Sequence, residues 1–281
     1  MAATLDYDST SHTIDAGGLS FHYHEAGSGP VVLLLHGSGP GVSGWSNFAA
    51  NLPVFAEHFR TIVLDMGGFG RSDLPVLDRQ YPAVAAEGVA KFMDAMEIEA
   101  AHVLGNSMGG NVAGHLVLAD PSRVDRLVMM GPGGFAVNTF GPEPSEGGKR
   151  LGEFMRKPSR DAMVAWIETM VADRSVITDE LIDERMANAM APGVLERVGQ
   201  IFGSFFRFSD PKPLWARANE IKCPTLITWG RDDRMLPLEG AMFSYRQMPN
   251  AELHVFAKCG HWAQVERKTD FERLVIEFLT R

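Results

Sequence analysis

The sequence predicts an α/β fold in which a mostly parallel sheet of about eight strands carries helices on both faces. Short runs of β-branched and aliphatic residues without polar alternation, such as residues 31–35 and 61–64, are typical of strands covered on both sides. Longer helical patterns separate these runs, as the crossover connections of parallel strands require. With 281 residues, 45% of them hydrophobic, the chain is long enough to bury one large core.

The predicted elements follow one another along the chain. An early strand is predicted at residues 21–26 and is expected to be antiparallel, because only a short glycine-rich turn separates it from the next strand. The other strands are predicted at residues 31–35, 61–64, 101–104, 127–130, 225–229 and 252–256, and the main core helices at residues 83–96, 108–119 and 270–280.

The alternation of predicted strands and helices stops between the strand at 127–130 and the strand at 225–229. Residues 138–208 have helical patterns, are rich in Met and Phe, and contain no convincing strand. The sequence therefore predicts a core domain formed by residues 1–137 and 209–281, with a helical lid, residues 138–208, inserted into it.

The charge and composition of the chain limit the classes of molecule that it is expected to bind. The formal net charge of −9 and the absence of basic runs interleaved with aromatic residues argue against nucleic acid. No signal-like start and no long apolar stretch is present, so a cytoplasmic protein without a membrane partner is expected. The two cysteines, Cys223 and Cys259, are expected to be buried and reduced, and Cys259 is disfavoured as a nucleophile because no tight turn surrounds it.

Ser107 lies in the sequence Gly-Asn-Ser-Met-Gly at residues 105–109, directly after a predicted strand and directly before a predicted helix. Small residues on both sides of a serine relieve the crowding of a sharp strand-to-helix turn, which presents the hydroxyl at its tip. The pattern is that of a nucleophile elbow, and it predicts a serine hydrolase of the α/β-hydrolase fold.

An acid and a histidine follow Ser107 in the chain order of that fold. Asp233 comes four residues after the tryptophan that ends the strand at 225–229, and His261 follows the strand at 252–256. His261 can accept and return the serine proton, and Asp233 can hold its tautomer. Asp233 is preferred over its neighbour Asp232, which is assigned to loop stabilisation. We therefore predict the triad Ser107, Asp233 and His261.

A glycine-rich loop, His-Gly-Ser-Gly-Pro-Gly at residues 36–41, follows an early core strand. Acyl-transfer chemistry needs preorganised donors for the negative oxygen that forms on attack. The backbone N–H of Met108, directly after the nucleophile, and that of Ser38 in this loop are the predicted donors.

Two weaker sequence patterns, a candidate nucleotide-binding loop and a candidate metal pair, are interpreted as structural features and not as binding sites. Residues 65–72 lack the spaced third glycine of a nucleotide-binding loop and are interpreted as a connection. His22 and His24 share one strand face, but no third metal ligand lies near them in sequence. We therefore expect neither a metal nor a cofactor.

Several motifs together resemble the meta-cleavage product hydrolases, which are carbon–carbon bond hydrolases of bacterial aromatic and steroid degradation within the α/β-hydrolase superfamily. The resemblance spans nearly the whole chain. It rests on residues 36–41, Trp-Ser-Asn at 45–47, residues 105–110, Met-Gly-Pro-Gly-Gly at 130–134 and Cys-Gly-His-Trp at 259–262.

The resemblance implies a substrate and a reaction. The substrate is a 2-hydroxy-6-oxohexa-2,4-dienoate, and the products of cleavage between C5 and C6 are 2-hydroxypenta-2,4-dienoate and a carboxylic acid. Ketonisation of the dienol precedes serine-dependent hydrolysis, since only then does the departing carbon leave as a delocalised dienolate.

The resemblance also implies binding residues. Arg185 matches the lid arginine that binds the substrate carboxylate, and no acid on its own helix face, three or four positions away, is placed to pair with it. Asn47, Asn106 and Trp262 match polar positions of the pocket. Gly37 and Gly39 of the glycine-rich loop are assigned to substrate contact, and a homo-oligomer, a dimer or larger, is expected.

Two other functions remain open. A carboxylesterase or enol-lactonase would use the same triad without needing Arg185, and a ligand receptor on a hydrolase scaffold would need no intact triad. The C6 substituent also remains open, because Ser38 resembles the alkyl-accepting branch whereas residues 142–147 resemble the biphenyl and steroid branch.

Overall fold

The computed structural model describes residues 5–136 and 144–281, which contain eight strands in a single sheet. The strands are β1 (Ser11–Asp15), β2 (Ser20–Ala26), β3 (Val31–Leu35), β4 (Arg60–Leu64), β5 (Ala101–Asn106), β6 (Val124–Met130), β7 (Thr225–Gly230) and β8 (Ala251–Phe256). The prediction of a mostly parallel sheet of about eight strands is confirmed.

The spatial order of the sheet is β1-β2-β4-β3-β5-β6-β7-β8. All neighbours from β4 to β8 pair in parallel, whereas β2 pairs antiparallel with both β1 and β4. The antiparallel direction predicted for residues 21–26 is correct, although β2 hydrogen-bonds to β4 and does not adjoin β3, the strand that follows it in sequence. Strand β1 was not predicted, because its sequence alternates too weakly to stand out.

The central strands are apolar throughout because both faces of the sheet are covered. In β3, Leu33 and Leu35 belong to the core on one face, and Val32 and Leu34 to the core on the other. All four side chains are fully buried. A continuous apolar run is therefore what a parallel strand between two helix layers requires.

Helices pack on both faces of the sheet and fill most of the segment between β6 and β7. They are α1 (Tyr7–Thr10), α2 (Gly44–Phe48), α3 (Leu52–Ala56), α4 (Tyr81–Ala95), α5 (Met108–Ala119), α6 (Glu146–Arg156), α7 (Arg160–Ile167), α8 (Asp179–Ala189), α9 (Val194–Arg207), α10 (Met242–Gln247), α11 (Ala263–Glu266) and α12 (Lys268–Leu279). Short 3₁₀ helices lie at Pro121–Arg123, Arg174–Val176, Leu214–Glu220 and Leu238–Ala241. Across the part of the chain that the structure describes, none of these helices combines the length and the hydropathy needed to cross a membrane.

Helices α6 to α9 lie between β6 and β7, where the sequence predicts the lid. Ser145, Ser159 and Thr178 cap α6, α7 and α8, because each side-chain oxygen accepts a hydrogen bond from a free amide of the first turn. These helices share a small apolar core of their own, to which Trp262 also belongs. The division into residues 1–137 with 209–281 and 138–208 stays a prediction, and residues 137–143 lie outside the described residues.

Candidate active site

Ser107 sits at a strained turn between β5 and α5. Its φ of 52° and ψ of −111° are unusual for a residue with a side chain. Two glycines, each two residues away from Ser107, leave the space that this turn needs. A Cβ on Gly105 would lie 2.4 Å from the carbonyl oxygen of Gly109, and a Cβ on Gly109 would lie 2.1 Å from that of Leu35. The structure thus has the elbow geometry that the sequence predicts.

His261 and Asp233 form a buried pair. The Nδ1 of His261 lies 2.7 Å from Oδ2 of Asp233, while Oδ1 of Asp233 accepts hydrogen bonds of 2.8 Å from the amides of Met235 and Leu236. The carboxylate is therefore fixed on both oxygens, which leaves its charge facing Nδ1. The Nε2 of His261 is buried and has no hydrogen-bond partner among the described residues.

Asp232 is placed differently. Its side chain is exposed and pairs with Arg231, and its amide donates to the carbonyl of Cys259. The structure therefore brings Asp233, and not Asp232, against His261. Cys259 is a free, fully buried thiol, and burial raises its pKa to about 12. A thiol with so high a pKa stays protonated at neutral pH and is a poor nucleophile.

Ser107 and His261 line one small cavity, to which helices α7 and α8 also contribute side chains. Of the predicted site residues, Gly37, Ser38, Asn47, Asn106, Arg185 and Trp262 line it as well. Met108 and Gly39 are not among its lining residues. The cavity is about 20 Å³, which is room for little more than one water molecule.

The glycine-rich loop is held rigidly at the cavity. Asn47 Oδ1 accepts a 2.7 Å hydrogen bond from the amide of Gly37. His36 is fully buried, donates from Nδ1 to the carbonyl of Gly37 at 2.5 Å, and accepts at Nε2 from the amide of Met66 at 3.0 Å. Burial lowers the pKa of His36, so the imidazole stays neutral and can fill both roles. Asn47 thus orients the loop, in addition to lining the cavity.

Gly39 and Gly41 have positive φ values and let helices α7 and α8 approach this loop. A Cβ on Gly39 would lie 2.4 Å from the ring of Trp166, and a Cβ on Gly41 would lie 2.6 Å from the amide nitrogen of Ala189. The Trp166 ring therefore packs closely on Gly39, whose contact with substrate stays a prediction.

Arg185 is a buried cation without a counter-ion. It lies on α8 with 7% of its surface exposed, and among the described residues no carboxylate or hydrogen-bond acceptor contacts its guanidinium. The guanidinium lies 5.3 Å from the centre of the Trp262 ring. Burial lowers the pKa of Arg185 to about 10, against the opposing effect of the Glu184 charge. The side chain therefore remains positively charged at neutral pH.

Three side chains of the cavity were not predicted as site residues. Val42, Trp166 and Met170 form an apolar wall beside Ser107 and His261. Apolar residues of this kind give no sequence signal of their own, because the same residue types fill the cores. In the residues that the structure describes, no group of three or more His, Cys, Asp and Glu side chains is arranged to hold a metal ion.

Comparison with known families matches residues 30–268 to the α/β-hydrolase fold family. The chain belongs to this family, as the elbow, the His261–Asp233 pair and the sheet order indicate.

Comparison with individual proteins shows to which branch of the α/β-hydrolase family the chain belongs. The chain is 42% identical, over 95% of its length and 94% of the relative, to a 2-hydroxy-6-oxo-6-phenylhexa-2,4-dienoate hydrolase of Burkholderia cepacia. It is equally identical, with the same coverage, to a 2-hydroxy-6-oxononadienedioate/2-hydroxy-6-oxononatrienedioate hydrolase of Comamonas testosteroni. Its structure is similar to the meta-cleavage product hydrolase of Pseudomonas fluorescens IP01, with a TM-score of 0.85, 33% identity and coverage of 98% and 99% of the two chains. Within the α/β-hydrolase family, the chain belongs to the meta-cleavage product hydrolases.

Proposed function

We propose that the protein hydrolyses the C5–C6 bond of a 2-hydroxy-6-oxohexa-2,4-dienoate, releasing 2-hydroxypenta-2,4-dienoate and a carboxylic acid. The observation that carries this proposal is the buried guanidinium of Arg185, which has no partner in residues 5–136 and 144–281 and lines the same cavity as Ser107 and His261. A buried cation without a partner is costly. A substrate carboxylate offsets that cost, and a neutral ester does not.

The binding residues have complementary roles. Arg185 holds the C1 carboxylate, and Asn106 and Trp262 line the region of the dienoate oxygens. Asn106 is itself fixed by a 3.2 Å hydrogen bond from Nδ2 to the carbonyl of Met130. Val42, Trp166 and Met170 supply an apolar surface for the C6 substituent. The cavity is smaller than such a substrate, so the lid side chains move when it enters.

The reaction has two stages. In the first, the dienol loses its 2-hydroxyl proton and gains a proton at C5, which gives a ketone at C2. In the second, the hydroxyl of Ser107, or a water molecule that it orients, adds to the C6 ketone while Nε2 of His261 takes the proton. Asp233 stabilises the imidazolium, and the amides of Ser38 and Met108 stabilise the C6 oxyanion. The C5–C6 bond then breaks as the C6 carbonyl re-forms, and its electrons pass through C5 to the C2 oxygen as a dienolate, which takes the proton from His261. If Ser107 was the nucleophile, water then hydrolyses the acyl ester on Ser107 to release the carboxylic acid and restore the hydroxyl. If water added directly, the carboxylic acid forms when the C5–C6 bond breaks.

Replacement of Arg185 separates this function from simple ester hydrolysis. Arg185→Gln is expected to lower kcat/KM for the dienoate about 10- to 150-fold, because a charge-assisted contact to a partly desolvated carboxylate contributes about 1.5–3 kcal/mol. Hydrolysis of a neutral aryl ester should hardly change. Stopped-flow absorbance with the dienoate and steady-state assays with the ester measure the two effects.

Arg156→Gln, at an exposed position of α6, is the matched control and should leave both activities intact. Equal losses on the two substrates would show that Arg185 has a structural role. An unaffected dienoate would remove Arg185 from the site.

Cytoplasmic location and a homo-oligomeric state complete the proposal. Both stay predictions from the sequence. Cell fractionation tests the first, and light scattering coupled to size-exclusion chromatography tests the second.

A further inference from the structure

A second and larger cavity lies at the seam between the core and the lid. It measures about 570 Å³ and is bounded by the chain around Val42 to Ser46, by residues 68–71 and by helices α8 and α9. Aromatic walls come from Tyr7, Trp45 and Phe69. Val42 lines both this cavity and the catalytic one. We call it the seam cavity.

Two arginine side chains, those of Arg71 and Arg197, line the seam cavity. Arg71 and Arg197 form no ion pair with any carboxylate in residues 5–136 and 144–281. The Arg71 guanidinium lies 5.0 Å from the centre of the Tyr7 ring. The terminal nitrogens of both guanidiniums have no hydrogen-bond acceptor among the same residues, so their N–H groups remain available to a ligand.

The two acids that also line the seam cavity do not satisfy these donors. Both oxygens of Asp65 are engaged, since Oδ2 contacts His22 and the Arg71 amide and Oδ1 accepts from the Gly44 amide. Glu184 is exposed and lies beyond ion-pair distance of both arginines. Asp65 is thus satisfied by groups other than the two guanidiniums, and neither acid is paired with Arg71 or Arg197.

The seam cavity is much larger than the catalytic cavity, as entry of a substrate in two steps requires. The catalytic cavity of about 20 Å³ admits no substrate before the lid moves, whereas 570 Å³ lies within the usual range for small-molecule sites. The chain has a net charge of −9, so its general field repels a carboxylate and a local pair of cations is needed to attract one.

We propose that the seam cavity is an antechamber in which Arg71 and Arg197 bind the carboxylate of the anionic substrate before it passes Val42 into the catalytic cavity. The ligand class is a carboxylate that carries an apolar or conjugated group, which packs on the aromatic walls. The inference rests on the proposed function for its substrate, although the site itself is defined by this chain's own residues.

A kinetic experiment tests the antechamber. The double variant Arg71→Gln/Arg197→Gln should lower kcat/KM for the dienoate about tenfold at low ionic strength, with a much smaller loss in kcat. The difference from wild type should shrink as salt is added. Arg207→Gln makes a single charge change of the same kind at an exposed position of α9 outside the cavity and should have almost no effect. A double variant that matches Arg207→Gln at every salt concentration overturns the proposal.

A binding experiment decides the question without turnover. The probe is 4-fluorobenzoate, followed by fluorine NMR in a Ser107→Ala/Arg185→Gln background, in which the catalytic cavity has lost its cation. Binding should persist there, should weaken at least about tenfold when Arg71→Gln/Arg197→Gln is added, and should be unchanged with Arg207→Gln. Absence of binding in the background, or binding that the added changes leave intact, overturns the antechamber.

The experiments can contradict the antechamber and the proposed function independently of each other. A protein that binds the probe through Arg71 and Arg197 but does not cleave the dienoate would contradict the proposed function and leave the site in place. If the double variant does not fold, the single variants decide, each with about a threefold weakening of probe binding.

Discussion

The described part of the chain contains two buried His–Asp pairs with nearly the same geometry and very different surroundings. In each, Nδ1 of the histidine lies 2.7 Å from Oδ2 of the aspartate, and all four side chains are almost fully buried. One pair is His261–Asp233 beside the catalytic cavity. The other is His22–Asp65, between β2 and the loop that follows β4.

The second pair even has a serine in place. Ser11 Oγ lies 2.8 Å from Nε2 of His22, so Ser11, His22 and Asp65 form a chain of contacts like that of a catalytic triad. Ser11, however, lies on the edge strand β1 with ordinary strand backbone, and it lines neither the catalytic cavity nor the seam cavity. Asp65 also binds the amides of Gly44 and Arg71, which ties three segments of the chain together.

The comparison shows that a Ser–His–Asp contact chain does not by itself make an active site. The pair beside the catalytic cavity differs in two ways, because Ser107 is held at a strained elbow and Nε2 of His261 lacks a partner among the described residues. A base that has no hydrogen bond in the resting structure is available to a substrate. His22 is fully bonded and is therefore structural.

Replacement of the two serines should give the largest contrast. Ser107→Ala is expected to lower dienoate turnover by at least about 10⁴-fold while substrate still binds, because the change removes the nucleophile and spares the pocket. Ser11→Ala should stay within about twofold of wild type. Single-turnover absorbance measures both, and comparable losses in the two variants would show that the second constellation is catalytic.

Replacement of the two neighbouring aspartates, Asp233 and Asp232, should give the next largest difference. Asp233→Asn should lower kcat up to about 10⁴-fold, because the amide favours the wrong tautomer of His261. Asp232→Asn, the adjacent matched control, should have little effect, since Asp232 is exposed and pairs only with Arg231. Steady-state kinetics with the dienoate give the ranking, and the reverse order would mean that the acid has been misassigned.

The sequence predicts the centre of the fold better than its edges. The apolar runs of β3 to β7 were predictable because burial on both faces requires them. The elbow was predictable because the glycines at 105 and 109 have a steric reason to be there. Strand β1 and helix α1 were not, since both are short and polar, and β1 alternates too weakly to stand out.

The same limit explains what the sequence could not show of the sites. His22 and His24 appeared only as two histidines on one strand face, and their partners Asp65 and Thr10 come from other segments. The Arg71 and Arg197 side chains meet at one cavity only because α9 folds back over the core. Contacts of this kind follow from tertiary structure and leave no local pattern.

The His22–Asp65 pair should influence stability more than chemistry. Burial alone would raise the pKa of Asp65, but the hydrogen bonds from His22 and from the Arg71 and Gly44 amides hold it below its ordinary value. Asp65→Asn is expected to lower the free energy of unfolding by about 2–3 kcal/mol, with kcat changed far less than in Asp233→Asn. Urea denaturation at pH 7 measures the loss.

The pH dependence of that loss has a defined sign. Because the folded protein binds the Asp65 proton less readily than the unfolded chain, its contribution is complete above about pH 4. It disappears as the pH falls below that value through the lowered pKa. The wild type and Asp65→Asn should therefore converge in stability at low pH, and a constant difference would contradict the charge as its source.

The smallest effect is expected for the hydroxyl that completes the second constellation. Ser11→Ala removes the hydrogen bond to Nε2 of His22, whose side chain is almost fully buried. The cost should be about 0.5–1.5 kcal/mol in urea denaturation. Ser20→Ala is the matched control, because Ser20 is also half-buried, lies on the adjacent strand β2, and makes no side-chain hydrogen bond among the described residues. If Ser11→Ala costs no more than Ser20→Ala, the contact between Ser11 and His22 contributes nothing to folding.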